Sequence, residues 1–162
     1  MLARLIFATL VALSAFFAAT AASAASSYRD VVVGAEYPPI TSRLGTFIGV
    51  ATGQLPGDWR AQIIHQPLSR RASVPITGGS FTMHAITGND LHAPITGGSV
   101  SVINNGGSGC ANQSYAVTAR FQGGSFSGML THHRHTILGR CLIYSATITG
   151  QATLPSARVS TP

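Results

Sequence analysis

Six histidines and the polar run Thr131-His132-His133-Arg134-His135-Thr136 hold most of the side chains in this chain that could do chemistry. On a β-strand successive side chains alternate, so His133 and His135 share a face, an i, i+2 arrangement that zinc, copper or iron can use. A metal site needs a third ligand. His84 is the first candidate, with Asp90 or His92 as others, but no paired carboxylate or cysteine spacing accompanies the set His84, His133 and His135. The other face of the same strand carries His132 and Arg134 behind Leu130, and alternation without a bulge points both inward. His65 shares an inward face with Trp59, Ala61 and Ile63. His65, His132 and Arg134 are therefore the candidate ligand-binding residues: at the mouth of a barrel, they would hold an anionic or polar ligand in an apolar cavity. The plainer alternative makes His65 a satisfied core histidine and brings Arg134 out at the rim.

Other chemistries have less to stand on. The acids are limited to Asp30, Glu36, Asp58 and Asp90, and nothing places two of them together for glycoside-type catalysis. No Gly-x-Ser-x-Gly elbow occurs. The glycines form neither a P-loop with its lysine nor a dinucleotide fingerprint, so no cofactor is expected. A metal-free secreted ribonuclease would combine Glu36 or a histidine as base with Arg134 or His132 as electrostatic partner. The enzyme alternative is thus a metal-dependent or His/Arg-dependent hydrolase centred on His132, His133, Arg134 and His135. The expected role is non-enzymatic binding of a small ligand or a cell-surface component, with a structural or interaction protein lacking any ligand as a third reading.

Period-2 alternation bounded by Gly, Pro, Asn and Asp predicts strands near Asp30–Val33, Gly45–Thr52, Trp59–Gln66, Ser80–Ile86, Ser99–Ile103, Ser114–Phe121, Ser125–Thr136 and Cys141–Gly150. Short strands at this spacing predict an all-β fold, a small antiparallel barrel of about eight strands with a β-sandwich as alternative. Phe81, Met83 and Ala85 should face in, as should Tyr115, Val117, Ala119 and Phe121. Gly-Gly-Ser recurs at Gly78, Gly97 and Gly123, and each copy is expected to be a turn that delivers the chain into a strand. The stretch Gln66 to Val74 reads as a longer loop or a short helix. The segment Ile76-Thr77-Gly78-Gly79-Ser80-Phe81, with Gly88 downstream, resembles the Gly-Gly lead into an aromatic strand of dirigent and allene oxide cyclase barrels. The resemblance implies a barrel fold and transfers no activity or functional residue.

Residues 1–24 read as a cleaved signal peptide: a basic start at Arg4, an apolar stretch from Leu5 to Ala19, and the small-residue site Ala22-Ser23-Ala24. The apolar stretch is short of the roughly twenty residues that cross a membrane, so no transmembrane anchor is expected after cleavage. Residues 25–162 would then form one β-barrel-like domain, secreted or held in the periplasm or cell envelope. In an oxidising compartment Cys110 and Cys141 are expected to pair. In a simple meander the two would sit a strand too far apart, close to 10 Å by the usual strand spacing of about 4.8 Å, so the loop Asn104–Gly109 must fold across. The net charge of +6 comes from ten arginines and no lysine. It favours an anionic envelope component as partner, whereas the scattered arginines without interleaved aromatics give no nucleic-acid footprint.

Overall fold

A computed structural model of the chain describes residues 27–39, 43–68, 71–88 and 90–155. The signal peptide and its cleavage site lie outside the described residues. Eight strands follow in order: β1 (Ser27–Glu36), β2 (Leu44–Gly53), β3 (Gly57–His65), β4 (Ser73–Ala85), β5 (Asp90–Asn104), β6 (Gln113–Phe121), β7 (Gly124–Ile137) and β8 (Arg140–Pro155). Each pairs antiparallel with the next, and β8 pairs with β1, closing the barrel. Closure leaves no strand edge unpaired. The sandwich alternative is thereby set aside.

Alternation builds the interior. Trp59, Ala61 and Ile63 are buried while Arg60, Gln62 and Ile64 are exposed; the same rhythm buries Phe81, Met83 and Ala85 on β4 and Tyr115, Val117, Ala119 and Phe121 on β6. At the end where β1 begins, both carboxylate oxygens of buried Asp30 accept the Leu55 amide, at 3.0 and 3.2 Å. Glycines set the bore higher up. Trp59 lies across Gly34 and Gly49, where an added Cβ would come within 2.6 and 2.9 Å of the indole. Aromatic rings laid over glycines let strands curve tightly without leaving a void. Around Trp59, Phe81 and Phe121 the side chains leave an apolar space of only about 30 Å³.

The Gly-Gly pairs depart from expectation. Only Gly123-Gly124 lies at a hairpin, between β6 and β7, whereas Gly78-Gly79 and Gly97-Gly98 fall inside β4 and β5. β4 therefore starts at Ser73 rather than near Ser80, and β5 at Asp90 rather than near Ser99. Gly98 approaches the Thr118 carbonyl so closely that a side chain would collide with it, and its φ of 141° suits glycine. These residues bend strands instead of ending them. After Gln66 the Arg71 amide donates to the Leu68 carbonyl at 2.9 Å, and no helix occurs among the described residues.

The two cysteines are joined, with Cα atoms 5.5 Å apart. Cys110 adopts a φ of 57°, a left-handed conformation that turns the loop after β5 back over the β7–β8 hairpin. That loop closes the distance a flat meander would have left.

Candidate ligand-binding cavity at one end of the barrel

Glu36 ends β1, and alternation from Asp30 through Val32 and Gly34 brings its side chain inward. His132 follows Gly128 and Leu130 on the inward face of β7. β8 lies between these two strands, pairing Ala35 with Thr147 on one side and His132 with Ala146 on the other. The small side chain of Ala146 leaves room for the carboxylate and the imidazole to meet. Glu36 Oε2 and His132 Nε2 are 2.7 Å apart, with side chains 5% and 4% exposed. A pair buried this deeply is held against a large desolvation cost.

The cavity above this pair has a volume of about 390 Å³. Its walls are Phe47, Ile63, Val100, Val117 and Leu130, its polar groups Glu36, His132 and Tyr115, and its mouth Arg43, His65, Pro67 and Leu68. Tyr115 touches His132 edge-on, with ring centroids 5.2 Å apart. Burial pushes the Tyr115 hydroxyl above its ordinary pKa of 10.0; the Arg134 charge opposes the rise and the Glu36 charge adds to it. At the mouth His65 donates from Nδ1 to the Gln66 carbonyl at 2.7 Å, which leaves Nε2 facing a ligand. Three of the four acids, Asp30, Asp58 and Asp90, lie on the far half of the barrel by strand register. Among the described residues only Glu36 offsets the arginines at the mouth, and it is already paired.

His65 and His132 of the expected ligand set thus line one cavity. Arg134 does not. The β7–β8 register shifts between His133 and Arg134, and this bulge breaks the alternation that would have carried the guanidinium inward. Arg134 instead donates to Cys141 Sγ at 3.0 Å and to the carbonyls of Asn105 at 3.4 Å and Ala111 at 3.3 Å. It is a strut under the disulfide loop.

The metal alternative is also corrected. His84 sits at the opposite end of the barrel, exposed and bound to Asp90 at 3.0 Å. His133 is engaged with Thr147 Oγ1 at 3.0 Å and with Asn112, and His135 lies beyond the bulge. No group of three metal-capable side chains occurs among the described residues. Strand register, invisible in local spacing, separates the three.

Two contributors to the cavity carried little sequence signal. Glu36 lay past the end of the strand expected at Asp30–Val33, and its partner is 96 residues away. Arg43 precedes β2 with nothing in its neighbours to mark it. Tyr115 was legible as inward-facing, its contact with His132 was not. Comparison with known proteins found no matching family model, no matching curated protein and no matching solved structure.

Proposed function

We propose that this chain is an exported, non-enzymatic binding protein that takes one small, mainly apolar molecule into the end cavity, with Arg43 and His65 meeting its polar or anionic end at the mouth. The observation that carries the reading is a 390 Å³ cavity whose apolar wall holds a buried Glu36–His132 pair. Pockets for small molecules are of this size, mostly apolar with a few convergent polar groups. A barrel needing only stability would gain by filling that space with aliphatic side chains. Export is supported by the N-terminal sequence and by a disulfide, which suits an oxidising compartment.

The test is titration of the chain from Ala25 onward with 1-anilinonaphthalene-8-sulfonate, an apolar aromatic anion. One molecule per chain is expected to bind, with at least a ten-fold loss of affinity in Val117→Phe or Val100→Phe, whichever remains folded. Binding that is unaffected in a folded, cavity-filled variant refutes the reading.

A further inference from the structure

The β7–β8 hairpin outreaches the barrel. β6 pairs with β7 only as far as His132, and β1 with β8 only as far as Thr147. Beyond these pairs no third strand flanks the hairpin among the described residues, for about five residues or roughly 15 Å at the usual rise of a strand. A two-stranded arm is barely stable alone. Here one face is clamped: Thr136 pairs with Cys141, the disulfide ties Cys141 to Cys110, and Arg134 braces the same loop.

The other face is bare. His135 pairs with Leu142 and Ile137 with Arg140, so these four side chains project to one side, and all are exposed. At the tip Leu138 is 97% exposed and holds a φ of 50°, a left-handed conformation disfavoured for leucine. A turn that had only to reverse the chain would carry Asn there. An apolar side chain kept wholly in water, at a conformational cost and beside other exposed apolar groups, marks a contact surface.

Charge selects the partner. Arg43 and Arg71 are exposed at the same end, whose one acid, Glu36, is buried and paired. A second copy presenting this end would bring arginine to arginine. An anionic bilayer supplies hydrocarbon for the leucines and phosphate for the arginines. We propose that the hairpin tip inserts Leu138, Ile137 and Leu142 into an anionic lipid bilayer while Arg140 meets the headgroups. The cavity mouth opens at this end, so an apolar ligand would pass between bilayer and barrel without crossing water. Only that last step rests on the cavity being the ligand site.

The test is co-sedimentation with vesicles of phosphatidylcholine and phosphatidylglycerol, using the chain from Ala25 onward so that the apolar segment Leu5–Ala19 plays no part. Wild type is expected to bind these vesicles and to bind pure phosphatidylcholine more weakly. Leu138→Asn, which suits the turn, should weaken binding roughly ten-fold or more, and Arg140→Gln roughly five-fold on the anionic vesicles alone. Ile86→Asn, in the turn closed by the His84–Asp90 pair at the far end, should change nothing. Leu138→Trp adds a fluorophore at the tip, which lipids brominated on the acyl chain should quench, while buried Trp59 stays unquenched. No binding to anionic vesicles, binding unchanged in Leu138→Asn, or an unquenched tip overturns the proposal. So does self-association without lipid that Leu138→Asn abolishes, which would make the tip a contact between copies. Each of these results leaves the ligand reading standing, because the anilinonaphthalene sulfonate titration is run without lipid and its variants change Val100 or Val117 inside the barrel.

Discussion

The Glu36–His132 pair makes the sharpest energetic prediction. Both side chains are about 95% buried and joined at 2.7 Å. Replacing one partner leaves the other desolvated and unpaired, a loss of about 3 to 5 kcal/mol, whereas replacing both with apolar residues of similar volume is close to neutral or stabilising. Glu36→Leu and His132→Leu should each cost about 3 kcal/mol or more. The double variant should lie within about 1 kcal/mol of wild type, a coupling of several kcal/mol. Urea unfolding of all four proteins, with m-values held equal, measures it. If the pair serves binding as well, the stable double variant also changes its affinity for anilinonaphthalene sulfonate. Single losses below about 1 kcal/mol that simply add would show a solvated pair, and the burial reasoning would be wrong.

Three further outcomes follow from individual groups. Burial raises Tyr115 in the folded chain, so its contribution to stability is intact below pH 10 and is lost as pH rises through the elevated value; an ultraviolet titration should show one of the four tyrosines ionising last, and Tyr115→Phe should delete that component. Leu138 occupies the β7–β8 turn at φ 50°, followed by Gly139 at 74°, a turn that favours Asn-Gly; Leu138→Asn should stabilise by about 1 kcal/mol in thermal unfolding. Cys110→Ser/Cys141→Ser opens a crosslink spanning 31 residues and should cost about 3.5 kcal/mol, while Arg134→Leu should speed amide exchange in residues 105–112 and leave anilinonaphthalene sulfonate affinity unchanged.

The barrel was legible in the sequence because alternation is a local property. Trp59, Ala61, Ile63 and His65 announce an inward face without knowledge of any other strand. Gly78-Gly79 and Gly97-Gly98 misled for the same reason: a glycine that bends a strand and one that ends it look alike until the partner strand is known. The site was half legible. His65 and His132 could be placed inward by counting, but Arg134 could not, since the bulge after His133 depends on how β7 meets β8. The Glu36–His132 contact is a product of closure. It exists because β8 separates β1 from β7 and carries Ala146 at the crossing point, a relation between three strands that no single stretch of sequence contains.

The account stands on the end cavity being where a ligand sits. Methyl-resolved NMR of the chain from Ala25 onward during addition of anilinonaphthalene sulfonate tests this most directly. Saturable shifts at Val100, Val117 and Leu130, with Leu91 and Leu154 at the far end unmoved, are the predicted result. Shifts confined to the exposed Val31, Val33 and Val50 on the outer face of β1 and β2 would place binding outside the barrel and contradict it.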